Sequence, residues 1–493
     1  MKYMSEVFQY DLIVIGAGPG GYVAAIRGAQ LGMKVAVVEK RQTPGGVCLN
    51  EGCIPSKALL DSTERFISAS TEFSRHGIEI APPVLNLSNM LRRKEQVVKK
   101  LTDGISYLFN KNEITLHVGA ARLIPSDLNE MKRVLVSVPR QRDLLEGYDL
   151  LSEAGEEMDT VTLEATSVIL ATGSEPTLLA GIAVDRQVVV TAREALSFDT
   201  VPEHLVIAGG GYIGLELGSV WQRLGSKVTV MEMLPNISPQ MDRQVSEGLY
   251  RMLRKQGVQF KLGTRITAIR RIGSKAIVQY NDGTGSEEMD CDRVLVAVGR
   301  KPLTAAVGIE ELGIVCDAKG RVVVDENYQT SIPGIYAIGD LIAGPMLAHK
   351  ASREGTVCVE RMNGQQTVVE YDFIPSVCYT SPEAASVGKT EEELKESAIP
   401  YKTGCGSFSA SGRARCMDAT DGFVKIITHA VTDRILGVHI LGLHASEMIA
   451  EAVCVMSFGG TARDLALICH AHPTLSETLH EAALDALGKA VHR

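Results

Sequence analysis

Long apolar runs are missing from this 493-residue chain. No stretch reaches the roughly eighteen apolar residues that a membrane-spanning helix needs, so no membrane partner is expected. Positive charge is in deficit as well: 50 Lys and Arg stand against 59 Asp and Glu, a formal charge of −9. That balance argues against nucleic acid or anionic lipid as a partner. The one basic run, Arg92-Arg93-Lys94 with Lys99-Lys100, reads as the solvated face of a helix. Cysteine is sparse: ten residues, without repeated spacing outside one pair, are too few for a secreted disulfide framework. A reducing compartment with one catalytic disulfide fits. The polar first nine residues lack a charged region, apolar region and cleavage site in order. A cytoplasmic location is expected, or the mitochondrial matrix if an organellar presequence has been removed. The composition that remains, 45% hydrophobic and 22% charged, is that of a globular protein, and the length allows about three domains.

One pattern occurs twice. The segment DLIVIGAGPGG (11–21) reads as a buried strand and a glycine turn, followed by a helix over 22–31, Gly32, and a strand over 34–38 ending at Glu39. HLVIAGGGYIG (204–214) opens the same series, with a helix over 215–224, Gly225, and a strand over 227–231 ending at Glu232. Gly16, Gly18, Gly21 and Glu39 correspond to Gly209, Gly211, Gly214 and Glu232 at a constant offset of 193. A single GxGxxG is weak evidence; two, each between strand and helix with an acid eighteen residues on, form a dinucleotide-binding fingerprint. The first glycine permits the turn, the second lets backbone approach a pyrophosphate, and the third lets helix and strand pack closely. The helix N-terminus offers N–H groups and a positive dipole to the phosphates. Glu39 and Glu232 would accept from ribose hydroxyls, or merely end their strands. An acid at 232 with no Arg close behind it favours NAD(H) over NADP(H).

Directly behind the first turn stands GGVCLNEGCIPSK (45–57). Its cysteines, Cys48 and Cys53, are separated by four residues, where metal knuckles and thioredoxin loops use two. A regular helix would hold positions i and i+5 about 8–9 Å apart, beyond the roughly 7 Å that a disulfide tolerates between Cα atoms. A bond therefore requires a bend, for which Gly52 and Pro55 are suited. Lys57, one helical turn past Cys53, would favour its thiolate. The alternative is two ordinary buried thiols. Two nucleotide folds and one dithiol suggest two cofactors, because a flavin can pass electrons from a dithiol to nicotinamide and side chains alone cannot.

Buried strands over 168–172 and 294–298 look like strands returning to the two nucleotide sheets, ending at Gly173 and at Gly299-Arg300. A third, 334–338, ends in Gly339-Asp340 and precedes a helix-like run over 346–362. Asp340 would bond a flavin ribityl hydroxyl or cap that helix. The segment 124–162, polar and acidic, resembles a long β-excursion or surface insertion. After about residue 370 alternating strands over 422–428 and 434–441 and helices over 446–458 and 475–487 suggest an α+β unit. Near its end, in CHAHPTLSE, Pro473 pushes His472 out of helical geometry. Thr474 and Glu477 match a capping box for the last helix. His472 is then a surface histidine, a ligand with Cys469 and His470 in a metal site of unusual spacing, or a general base oriented by Glu477. No metal is expected on balance.

GGVCLNEGCIPSK, GGGYIGLELGSVW, YAIGD, LAHKASREG, VCYTSPEAASVG, TDRILGVHILG and HAHPTLSE together resemble the class I pyridine nucleotide-disulfide oxidoreductases, from about residue 10 to 488. The resemblance points to the branch that oxidises dihydrolipoamide with NAD⁺. It implies an α/β fold with two Rossmann-like dinucleotide-binding domains, for FAD and NAD, and a C-terminal α+β dimerisation domain. The expected divisions are 1–165, FAD-binding with the dithiol; 166–292, NAD-binding; 293–365, central and completing the FAD site; and 366–493, interface. Cys48 would be the interchange thiol and Cys53 the charge-transfer thiol. Lys57 would pair with Glu216 near the flavin. His472, held by Glu477, would serve as acid/base across a homodimer interface. Gly16, Gly18, Gly21, Glu39, Lys57, Ala120, Asp340 and Ala348 fall at positions for tightly but non-covalently bound FAD, and Gly209, Gly211, Gly214, Glu232, Ala297 and Gly299 at positions for NAD. Thr172 and Gly173 count among the expected cofactor-binding residues. Lipoyl domains of 2-oxo acid dehydrogenase or glycine cleavage complexes are the implied partners. Glutathione reduction fits less well because Glu232 opposes NADPH, and mercuric reduction because no cysteine follows Cys469. A non-catalytic flavoprotein would leave His472 idle. Leu443-His444 and the length of 124–162 depart from the family pattern.

Overall fold

The computed structural model describes residues 7–126, 131–138, 159–305 and 307–492. The chain divides into two compact units: one of 1–55, 92–177 and 300–369, the other of 56–91, 178–299 and 370–493. Each repeat of the glycine pattern heads a sheet in its own unit.

In the first unit Val7–Ile15 lies between Val35–Glu39 and Asp159–Leu170, parallel to both, and Thr115–Val118 and Ile335–Ala337 extend the parallel part. Lys132–Val138 and Ala120–Ile124 add antiparallel strands. Val35–Glu39 is buried throughout, as a parallel strand covered on both faces must be. Register sets Ile15 beside Val38 and Leu170, so the carboxyl ends of these strands finish at one level. That edge is where an open α/β sheet binds ligands. The helix expected from residue 22 runs Pro19–Gln30, because proline at the first helical position costs no internal bond.

The second unit repeats the plan with Gln259–Lys261, Lys227–Met231, His204–Ala208, Arg293–Val296 and Val189–Val190, all parallel. A three-stranded antiparallel meander follows, Arg265–Ile272, Lys275–Asn281 and Ser286–Cys291. The C-terminal part is a five-stranded antiparallel sheet under the helices Ala445–Ser457 and Glu477–Ala486. The only tryptophan, Trp221, is fully buried in this unit, where its Nε1 donates to Ala195 O at 3.0 Å. The fold is thus α/β with two Rossmann-like sheets and a C-terminal α+β part.

Three expectations need correction. Lys94 does not face solvent: it lies in the buried stripe of Leu87–Lys111 with Thr102, Ile105 and Phe109, and burial pushes its ammonium below the ordinary value. Spacings of three and four residues along that stripe carry the lysine inward. Asp340 does not cap the following helix, which runs Ala348–Met362 behind Leu347; Asp340 sits in the 3₁₀ turn Gly339–Leu341. The capping box at 474–477 forms by half. Glu477 Oε2 accepts from Thr474 N at 2.8 Å, but the Thr474 hydroxyl donates to Ala471 O, and the helix begins at Glu477 behind Ser476. Of the segment 124–162, residues 127–130 and 139–158 lie outside the described residues, while 132–138 and 159–162 are paired strand.

Candidate active site

The first glycine turn is held by backbone and by one acid. Gly16 has φ +103°, and a Cβ there would stand 2.4 Å from Ala171 O, so no larger residue fits. Glu39, buried at the end of its strand, accepts from Ala17 N at 2.9 Å and from Arg41 N at 3.0 Å. The second turn makes the same bonds 193 residues on. Gly209 has φ +108°, a Cβ there would stand 2.4 Å from Ala297 O, and Glu232 accepts from Gly210 N at 2.7 Å and Leu234 N at 2.8 Å. In each copy the carboxylate is tied to the turn by one amide per oxygen, which fixes its position and leaves lone pairs for further donors. The helices Pro19–Gln30 and Tyr212–Arg223 begin behind Gly18 and Gly211 with no side-chain cap. Their first-turn N–H groups are therefore suited to an anionic ligand.

The dithiol segment is packed onto the first turn. Gly45 N donates to Ala17 O at 2.8 Å, and Gly46, at φ +58°, is so close that a Cβ would lie 2.6 Å from Gly18 Cα. Two glycines facing each other allow this backbone contact. Cys48 lies in the helix Gly46–Glu51; the chain breaks helical geometry at Gly52, with φ −139° and ψ −113°, and Cys53 opens the helix Cys53–Thr71. The bend expected between the cysteines falls at Gly52, where a Cβ would press on Val47 O at 3.0 Å. Both cysteines are half-buried.

Asp340 is supported by residues that pattern reading missed. Ser174 Oγ bonds its carboxylate, and Arg300 Nε donates to Ser174 Oγ at 2.7 Å. Burial draws the Arg300 guanidinium below its ordinary value, while Asp340 and then Cys53 oppose that shift. The peptide before Asp340 is clamped from both sides: Lys350 Nζ donates to Gly339 O at 2.9 Å, and Glu354 accepts from Gly339 N at 2.8 Å. Lys350 and Glu354 bond each other at 3.1 Å with both side chains fully buried. The signal was an oppositely charged i,i+4 pair on the buried face of a helix.

In the second unit Glu216, 5% exposed, lies on the helix behind the glycine turn. It accepts from Lys57 Nζ at 2.7 Å and from Tyr379 N at 3.1 Å, and the Lys57 ammonium sits 4.5 Å from the Tyr379 ring centroid. Cys378 is buried beside this group, its thiol pushed up to about 12 by burial and then by Glu216, so it stays protonated and inert. In the C-terminal part His472 Nδ1 meets Glu477 Oε1 at 2.9 Å, with the His472 side chain 78% exposed. A carboxylate on Nδ1 fixes the tautomer and leaves Nε2 to exchange a proton. His470 turns away, to Glu451 and Ile468 O.

The pyridine nucleotide-disulphide oxidoreductase model matches residues 10–355, and the dimerisation domain of the same family matches 374–483. The chain belongs to this family. It is 45% identical over 496 residues to mitochondrial dihydrolipoyl dehydrogenase of Mus musculus, covering 99% of this chain and 93% of that one. The mitochondrial dihydrolipoyl dehydrogenase of Pisum sativum is 41% identical over 98% of this chain and 92% of its own. Among solved structures, LpdA of Mycobacterium tuberculosis matches with a TM-score of 0.85 at 25% identity, over 96% of this chain and 99% of that one. The HOCl-induced flavoprotein disulfide reductase RclA of Escherichia coli, solved as a Cu(II) complex, matches with a TM-score of 0.82 at 26% identity, over the same shares.

The remaining residues expected to touch cofactor in a member of this family occupy strand ends and turns. Thr172 donates its hydroxyl to Leu303 O at 2.7 Å, and a Cβ on Gly173, at φ +76°, would meet nothing within 4 Å among the described residues. Ala120 opens its strand and Ala348 its helix. Ala297 presents its carbonyl to Gly209, and Gly299 has φ +125° with nothing within 4 Å of a Cβ among the described residues. Two uncapped helix starts, each beside a fixed acid, suit two dinucleotides, and the clamp at Gly339 holds one further acid at the first sheet.

Proposed function

We propose that the protein oxidises protein-bound dihydrolipoamide to lipoamide and reduces NAD⁺, through a Cys48–Cys53 redox pair and FAD. It is an NAD-dependent flavoprotein disulfide oxidoreductase. The observation that carries the reading is the Gly46–Gly18 contact, which sets the cysteine helix on the first glycine turn. The 45% identity to a dihydrolipoyl dehydrogenase over 99% of the chain supports the substrate.

Gly16, Gly18, Gly21, Glu39, Asp340 and Ala348 would hold FAD, which supplies a two-electron acceptor between dithiol and nicotinamide. Gly209, Gly211, Gly214, Glu232, Ala297 and Gly299 would hold NAD. His472, oriented by Glu477, removes a proton from one dihydrolipoyl thiol. The resulting thiolate attacks Cys48 of the Cys48–Cys53 disulfide, forming a mixed disulfide and releasing Cys53 as thiolate. The second substrate thiol displaces Cys48 and closes the lipoamide ring, so the protein dithiol carries both electrons. Lys57, held by Glu216, supplies positive charge one helical turn from Cys53. The match of 374–483 to a dimerisation domain supports a homodimer in which the base is His472 of the partner subunit. Among the described residues no helix is long and apolar enough to cross a membrane. Lipoyl domains of 2-oxo acid dehydrogenase or glycine cleavage complexes are the proposed partners, and the mitochondrial matrix or cytoplasm the proposed location.

Steady-state assays with dihydrolipoamide, glutathione and mercuric ion, each against both nicotinamides, test the reading. Turnover is expected with dihydrolipoamide and NAD⁺. Reduction of glutathione disulfide by NADPH, without dihydrolipoamide turnover, would overturn it.

A further inference from the structure

A second histidine–carboxylate pair lies two residues before the base. His470 Nε2 meets Glu451 Oε1 at 2.7 Å, and its Nδ1 meets Ile468 O at 3.0 Å. Its side chain is 7% exposed, against 78% for His472. A carboxylate and a carbonyl both accept, whereas a neutral imidazole donates from one nitrogen only. A ring that donates from both nitrogens would satisfy both contacts, with the Glu451 carboxylate as its counter-ion. The ring also tilts against His480, centroids 5.1 Å apart, and His480 Nε2 bonds Ala466 O at 3.1 Å.

We infer that His470 is a positioning residue for the base: as a buried cation pinned by Glu451 and Ile468 O, it anchors the segment carrying His472 and sets the charge around the His472–Glu477 pair. His470 is buried and His472, two residues on, is exposed, so the anchored ring holds the stretch of backbone from which His472 projects. Burial alone would raise the Glu477 carboxyl, but the Thr474 amide, His472 and His470 together bring it below its ordinary value. From the neighbouring elements, Glu451 faces His470 from Ala445–Ser457, and Glu477 and His480 face it from Glu477–Ala486. Glu481 is engaged by His492, and Arg463 and Asp464 turn to Asp433 and Thr461.

This rests on the proposed reaction, so the test separates the two. Purified holoenzyme is assayed for kcat/KM with dihydrolipoamide across pH, alongside NADH-to-ferricyanide turnover, which bypasses His472. Wild-type turnover of dihydrolipoamide tests the reaction itself. Removing a cation beside a base lets the base keep its proton to higher pH. His470→Gln, which leaves Glu451 negative, should move the acid limb upward by about half a pH unit or more. Glu451→Gln, which keeps a hydrogen-bond partner for His470 and carries the test if the first variant does not fold, takes away the counter-charge of the cation and should move it downward instead. Ferricyanide turnover should stay at the wild-type level in both. An acid limb that stays in place while kcat falls, or a parallel loss of ferricyanide turnover, would overturn the inference.

Discussion

The buried clamp at Gly339 offers a quantitative test. Lys350→Met keeps most of the side-chain stem, which packs where a Cβ on Gly344 would meet Lys350 Cε at 2.9 Å, and removes the ammonium. It takes away the Gly339 O bond at 2.9 Å and the 3.1 Å contact to Glu354, leaving a fully buried carboxylate without that counter-ion. Removing one partner of such a pair costs about 3–5 kcal/mol, mostly as the penalty of the charge left behind. If all of that appeared in flavin affinity, the proposed FAD would bind more weakly by at least two orders of magnitude or so. Lys350→Met/Glu354→Gln should lose less than the single variant, because the amide still accepts from Gly339 N and no charge remains buried.

Flavin fluorescence on release is the suitable assay, with far-UV circular dichroism for the fold. Emission from Trp221 would report the other unit and miss the effect. A unit of this size loses about 2–4 °C of midpoint per kcal/mol, so a fall of roughly 6–20 °C is expected for the single variant. A loss under about 1 kcal/mol, or a double variant no better than the single, would refute the idea that the ion pair holds Asp340 in place.

Three other outcomes follow from the site. Cys48→Ser should abolish dihydrolipoamide turnover while NADH still reduces ferricyanide; turnover at the wild-type rate would end the proposed cycle. Glu232→Gln removes the charge and, having a single acceptor oxygen, one of the two bonds from Gly210 N and Leu234 N, so the preference for NAD⁺ over NADP⁺, measured as a ratio of kcat/KM, should contract about tenfold. The Glu391 carboxyl is held down to about 2, first by its bond to Lys425, with burial opposing. A depressed carboxyl stabilises the fold above its unfolded value and loses that contribution as pH falls through the folded one. The C-terminal part should therefore weaken between about pH 4.5 and 2, and Lys425→Met should flatten that slope in acid denaturation; an unchanged slope would remove Lys425 as the cause.

The glycine turns were legible because their geometry admits almost no substitution: a Cβ at Gly16 or Gly209 would meet a carbonyl oxygen at 2.4 Å, and that restriction is written in the residues themselves. The acids eighteen residues on could be read for the same reason, since each answers to an amide of the turn. Lys94 was misread because charge alone does not say which face of a helix a residue occupies; the apolar neighbours do. The Ser174–Arg300 and Lys350–Glu354 supports were missed because Ser174 and Arg300 lie 126 residues apart, and because an i,i+4 charge pair usually marks a solvated surface. The capping box misled because its two halves are separable: Glu477 accepts from Thr474 N, while the Thr474 hydroxyl finds Ala471 O.

The two copies of the turn share their internal bonds, so those bonds cannot explain why one cofactor would stay and the other exchange. The difference lies in what covers them. Above the first turn, Gly46 approaches so closely that a Cβ on it would touch Gly18 Cα, and Gly45 N is bonded to Ala17 O. At the corresponding point of the second turn, a Cβ on Gly211 would meet nothing within 4 Å among the described residues. A dinucleotide on the first turn would lie against the helix that carries Cys48, whereas no such segment stands within 4 Å of a Cβ on Gly211 among the described residues. A resident carrier of electrons needs the first arrangement, since it must stay beside the sulfurs through every cycle. A nicotinamide that arrives oxidised and leaves reduced needs the second. If both turns bind as proposed, the thirteen residues GGVCLNEGCIPSK, which stand behind the first turn, would divide the labour between them.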